Sequence, residues 1–148
     1  MSQDGAELDL DSSLGYLLKQ VHSVLRSAMD GALRPLGMTV PQYACLELLA
    51  QRPGLSNSDL ARGAFVSRQS MNVLLQSLER DGLVARLERP SSGRVLPVQL
   101  TPLGRERLQA ASAAVSSVET QMRRRLNTTE QQQLRDLLAS CVTALSEP

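Results

Sequence analysis

The stretch between Leu55 and Thr101 constrains this chain more than any other, because helical and strand-like patterns change places there over a short span. Ser67 follows the apolar pair Phe65-Val66 and makes a good helix N-cap. Met71, Leu74, Leu75 and Leu78 then fall at i, i+3, i+4 and i+7, which is one buried helical face. At about 100° per residue, Gln69, Asn72, Val73, Gln76 and Arg80 point away from that stripe, with Ser67, Arg68 and Ser70 at the N-terminal end. Asp81-Gly82 closes the pattern, the glycine supplying the left-handed conformation of a C-terminal cap. Just upstream, Ser56 and Asp59 have the spacing of a capping box for a short helix carrying Leu60 and Ala61.

After the cap, LVARLE (83–88) and VLPVQL (95–100) are expected to form two short strands, separated by Arg89-Pro90-Ser91-Ser92-Gly93-Arg94. A helix pair followed by an arginine-tipped hairpin is a winged helix-turn-helix. The fold class is therefore mainly α (α+β), the winged unit being flanked by N- and C-terminal helices that form a dimerisation region. The outward residues of the second helix suit the edges of base pairs: Gln and Asn bond adenine, Arg bonds guanine or phosphate, and Val touches a thymine methyl. A hairpin bearing Arg86, Arg89, Ser92 and Arg94 beside that helix is suited to a minor groove. The plainer alternative makes these arginines solvated loop charges.

At these residues the chain resembles the MarR (multiple antibiotic resistance regulator) family of transcriptional regulators. The resemblance spans nearly the whole chain and is densest in Leu60-Ala61, Val66-Ser67, Leu78-Glu79-Arg80-Asp81-Gly82-Leu83-Val84, Arg86, Arg94 and Leu100-Thr101-Pro102-Leu103-Gly104. Met38-Thr39-Val40-Pro41-Gln42, opening an earlier helix, also fits. The resemblance implies a repressor of neighbouring genes with a pocket for small aromatic or phenolic anions. Family wings usually carry an Asp two residues before the arginine matching Arg94, where this chain has Ser92, so a more mobile wing tip is expected.

Charge is distributed in keeping with a DNA partner. The net charge of the 148 residues is only +1, yet from Arg62 to Arg105 seven arginines stand against Glu79, Asp81 and Glu88. Aromatic residues are limited to Tyr16, Tyr43 and Phe65, which argues for duplex rather than single-stranded nucleic acid, since single-strand binders stack bases on aromatic platforms. No apolar run has the length of a membrane span, and the N-terminus MSQDGAELDLDSS does not read as a signal peptide, so no membrane association and a cytoplasmic location are expected.

Residues 1–11 read as a mobile acidic tail, 12–36 and 102–147 as dimerisation helices, and 37–101 as the DNA-binding unit. Ser12 or Ser13 caps a first helix whose stripe runs through Leu14, Leu17, Leu18, Val21, Leu25, Ala28, Met29 and Ala32. Thr39 caps a second, with Tyr43, Leu46, Leu49 and Ala50 as core candidates. Thr101-Pro102 starts a fifth helix with a near-heptad seam through Leu108, Ala111, Val115, Val118, Met122 and Leu126. Asn127-Thr128-Thr129 breaks it and caps a last helix striped by Leu134, Leu137, Leu138, Cys141, Val142 and Leu145. These stripes exceed what one small winged unit can bury. The expectation is a homodimer through Leu14, Leu17, Val21, Val118, Met122, Leu134, Leu138, Cys141 and Leu145, reading a pseudo-palindromic operator; the alternative is an intramolecular three-helix bundle.

His22 and Arg26, at i and i+4, together with Tyr43, form a candidate effector pocket for a carboxylate or phenolate; the alternative has His22 and Arg26 meeting the partner subunit. A thiol-based redox switch is a second regulatory reading. It is disfavoured because Cys45 and Cys141 both lie on apolar stripes and read as small buried hydrophobes, and because Gly15 stands where the resemblance places the cysteine of the family's peroxide sensors. One histidine, no nucleophile elbow, no phosphate loop and no metal-spaced Cys/His set argue against an enzyme, and neither cofactor nor metal is expected. A winged helix used for protein contacts without specific DNA binding is the remaining alternative.

Overall fold

A computed structural model describes residues 7–87 and 98–148. Among these residues six α-helices and one short sheet follow in the expected order. A 3-10 turn, Leu10–Ser12, capped by Asp9, precedes α1 (Leu14–Leu33), and Ser13 rather than Ser12 caps that helix by accepting from the Tyr16 N–H. Residues 10 and 11 of the expected 1–11 tail belong to that exposed turn, and its first six residues lie outside the described residues. A second 3-10 turn, Arg34–Leu36, and the left-handed Gly37 lead into α2 (Val40–Gln51), where Thr39 and Gln42 close a capping box.

Helix α3 (Asn57–Gly63) begins at the Ser56–Asp59 capping box, and α4 (Arg68–Arg80) begins at Ser67, whose hydroxyl accepts from the Ser70 N–H at 3.0 Å. Gly82, with φ of 76°, ends α4: its N–H donates to the Glu79 carbonyl while the Leu83 N–H reaches back to Leu78. Strands β1 (Val84–Arg86) and β2 (Val98–Leu100) pair antiparallel with Val84 opposite Leu100 and Arg86 opposite Val98. Both are shorter than the expected runs, and the intervening residues 88–97 lie outside the described residues.

Thr101 joins the sheet to α5 (Pro102–Arg123). Its N–H donates to the Leu83 carbonyl and its hydroxyl to the Gly82 carbonyl at 2.6 Å, while the same hydroxyl caps the helix by accepting from Gly104. A Cβ on Gly104 would lie 2.0 Å from the Leu83 carbonyl oxygen, so the close approach of α5 to this turn requires glycine.

The core lies where α2, α3, α4, the sheet and the first half of α5 converge. Leu46, Leu60, Met71, Leu75, Leu78, Val84, Leu100, Leu108 and Ala111 are all buried there. Ala50, expected in the core, is exposed because it occupies the last turn of α2, where the helix leaves the lobe; Cys45 and Leu46 fill that role. α1 packs against α5 and α2. The last helix, α6 (Thr128–Ser146), capped by Asn127 with Glu130, has no buried residue, so the alternative of an intramolecular three-helix bundle does not hold. Cys141 is accordingly exposed in the single chain, a correction to its expected burial.

Candidate nucleic-acid interface

Two faces of α4 are sharply divided. Met71, Leu75 and Leu78 are buried against the lobe, and Arg68, Gln69, Ser70, Asn72, Val73, Gln76 and Arg80 are all exposed on the other side. Sequence periodicity placed these residues where the structure has them, because burial of one helical stripe dictates the direction of its opposite. Ser67 and Ser70 are bonded to each other, hydroxyl to hydroxyl at 3.0 Å, as well as through the cap. Asn72 is tied as well: its Oδ1 accepts from Asn57 Nδ2 at 2.6 Å, a contact that sequence reasoning missed because the pair is joined only across the helix-turn-helix.

The turn between α3 and α4 holds a second feature that the sequence did not reveal. Phe65 adopts φ of 59° and is 94% exposed, next to the N-terminus of α4. Its N–H closes on Arg62 and the Val66 N–H on Ala61, so an aromatic occupies the left-handed position that ends α3. At the start of α3 the Asp59 carboxyl is held below the ordinary carboxylate range, first by the Ser56 hydrogen bonds and then by the neighbouring Arg62 guanidinium.

Of the expected wing contacts, Arg86 is described. Its Nε lies 3.2 Å from Glu79 Oε1, so it braces β1 against the end of α4 as an exposed ion pair. Arg89, Ser92 and Arg94 lie outside the described residues.

Among the described residues no hydrogen bond or ion pair joins the three expected effector contacts. His22 is exposed, Arg26 pairs with Asp30 at 3.8 Å along its own helix, and Tyr43 faces α5. Burial, followed by the charge and hydrogen bond of Glu47, pushes the Tyr43 hydroxyl up to about 12. Glu47 in turn accepts from the Ser112 hydroxyl at 2.8 Å and bonds Gln51. An acidic neighbour makes this part of Tyr43's surroundings unfavourable for an anion. A separate groove of about 380 Å³ opens between α1 and α5, walled by Val21, Val24, Leu25, Ala28, Val118 and Met122, with Arg124 and Arg125 at its edge.

Eight of the nine expected dimer residues are exposed in the single chain; Val118 is buried against its own chain, where α5 meets α1. Burial pushes the Cys45 thiol up to about 12, which leaves almost no thiolate at neutral pH. Among the described residues no cluster of three metal-ligating side chains occurs, and no helix is long and apolar enough to cross a membrane.

Comparison with known proteins agrees with this architecture. A family model described as MarR family matches residues 36–95. The HTH-type transcriptional repressor Rv2887 of Mycobacterium tuberculosis is 44% identical over 128 residues, 86% of this chain and 92% of that protein. Its crystal structure in complex with salicylic acid matches with a TM-score of 0.73, covering 88% of this chain and 97% of that one. Its complex with DNA matches with a TM-score of 0.73 at 41% identity, covering 88% of this chain and 98% of that one. The buried and exposed faces of α4, the glycine-capped turn into a two-stranded wing and this likeness along most of both chains place the protein in the MarR family of regulators.

Proposed function

We propose that this protein is a homodimeric, sequence-specific double-stranded DNA-binding regulator that represses neighbouring genes and is released by a small aromatic acid. The observation that carries this reading is the outward face of α4. Gln69, Asn72, Val73 and Gln76 stand exposed together on a helix whose opposite face is locked into the lobe. These side chains offer donors, acceptors and a methyl surface at the spacing of base edges in a major groove. Residues 37–101 form the DNA-binding unit, with Ser67, Arg68, Ser70 and Arg80 placed for phosphates and flanking bases and Arg86, Arg89, Ser92 and Arg94 on the wing.

Residues 12–36 and 102–147 supply the dimer. A single chain leaves Leu14, Leu17, Val21, Met122, Leu134, Leu138 and Leu145 uncovered, an apolar surface of the kind that marks a protein interface. A twofold pair presents two recognition helices about 34 to 36 Å apart, one turn of the duplex. Rv2887 has been crystallised with DNA and with salicylic acid, which supports both an operator and an aromatic acid for this chain. The α1–α5 groove, with its apolar walls and two arginines, suits such an acid better than the His22/Arg26/Tyr43 set. An effector bound there acts by favouring a lobe separation that no longer matches the half-sites.

Gel shifts on duplex from the protein's own locus, at two salt concentrations, test the reading. Gln69→Ala and Gln76→Ala should each cost about 1 to 3 kcal/mol with relaxed specificity at one position. Arg94→Ala should weaken binding evenly and reduce the salt slope by about 1. A protein-interaction module would show neither effect.

A further inference from the structure

We infer that Asn57 is a positioning residue for base recognition: it holds the Asn72 side-chain amide so that only its NH₂ group faces the duplex, which makes Asn72 a reader of guanine rather than adenine. The inference rests on the proposal that α4 lies in a major groove. An asparagine reads adenine bidentately by accepting from N6–H through Oδ1 while donating to N7 through Nδ2. Here Asn72 Oδ1 is already engaged, turned back toward α3 to accept from Asn57 Nδ2 at 2.6 Å. With Oδ1 directed at α3, the group on the side away from α3 is the NH₂, a pair of donors, and guanine presents two adjacent acceptors in the groove, N7 and O6.

The orientation of the pair is anchored from the α3 side. Asn57 is the first residue of α3 and is only partly exposed, and its own Oδ1 is buried with no hydrogen-bond partner. Reversing both amides would bury the Asn57 NH₂ in that same unpartnered place. On the main chain, unpaired carbonyl oxygens are tolerated more readily than unpaired N–H groups, and the same preference holds Asn57 as it stands. Among the described residues no other side-chain hydrogen bond joins α3 to α4, so the Asn72 amide takes its direction from this contact.

Selection from a duplex library randomised across one half-site, read by sequencing, tests the assignment with the wild type and Asn72→Ala, Asn57→Ala and Asn57→Asp. The wild type should favour guanine by about tenfold at one position, a preference that Asn72→Ala abolishes. Asn57→Ala should retain binding but admit adenine at that same position, because Oδ1 is released. Asn57→Asp offers only acceptors, so it should draw the Asn72 NH₂ toward itself and move the selection to a base presenting a donor, adenine or cytosine. An acid in the first turn of α3 suits the helix dipole, so this variant should fold even if the alanine variant does not.

The inference is overturned if the wild type selects adenine at the position that depends on Asn72. It is equally overturned if both Asn57 variants keep the wild-type preference, or lose affinity by one common factor for every sequence. Selection of no sequence by the wild type removes the DNA-binding reading itself, and this inference with it; a wild-type consensus insensitive to Asn57 removes the inference alone.

Discussion

Phe65 is the one non-glycine among the described residues with a left-handed backbone, and it buries almost none of its ring. A left-handed L-residue costs roughly 1 to 2 kcal/mol, part of which glycine would return as unfolded-state entropy. Phe65→Gly should therefore keep the turn and stabilise the fold by about 0.5 to 1 kcal/mol. The check is a higher urea midpoint at unchanged slope; a lower midpoint would show that the ring contributes packing in the folded protein. Tyr43 makes a prediction of opposite character. Burial and the neighbouring Glu47 push its hydroxyl up to about 12 from the ordinary 10.0, so the stability tied to its neutral form is fully present below 10 and is lost as pH rises through 12. Alkaline unfolding of the wild type should steepen across that window. In Tyr43→Phe the steepening should disappear while the stability at neutral pH falls slightly, through loss of the hydroxyl's polar interaction with Glu47.

Elements were legible in the sequence wherever their determinants are local. The caps at Thr39, Ser56, Ser67 and Thr101 were each readable because the side chain that stops or starts a helix lies within a turn of the group it satisfies. The exposed reading face of α4 was legible by the same logic, since one buried stripe defines its complement. Contacts between elements were not. The Asn57–Asn72 bond, the Arg86–Glu79 brace and the approach of Ser112 to Tyr43 and Glu47 depend on how separate elements pack together, and periodicity carries no information about that packing. Gly104 lies between these cases. It could be quoted as part of a motif, but only the fold shows that the Leu83 carbonyl occupies the place of its Cβ. Gly104→Ala must push α5 away from the wing and should cost about 1 to 3 kcal/mol as overpacking, despite alanine's better helix propensity. Calorimetry that finds a gain in stability instead would mean that the Thr101 junction is free to move.

At the scale of the whole molecule, the distribution of burial is lopsided. One lobe has a closed core of fully buried side chains, whereas α6 contributes nothing to it and leaves Leu134, Leu138, Val142 and Leu145 exposed beside Cys141. A nineteen-residue helix with such a face has little stability in water by itself, since short isolated helices are marginal and take most of their stability from packing. Association of two chains resolves this, and it converts Cys141 into a reporter. If the proposed dimer buries this face, the Cys141 thiol should alkylate slowly, while Cys45, buried in the lobe, should react only on unfolding. Leu138→Asp places a charge in the same stripe and should shift the sedimenting species from dimer toward monomer while raising the Cys141 alkylation rate several-fold. The Cys45 rate should stay unchanged, which separates dissociation from general unfolding. Equal Cys141 reactivity in wild type and variant, with both sedimenting as one chain, would remove the dimer, and without the dimer α4 could not be presented twice at the spacing of a palindromic operator.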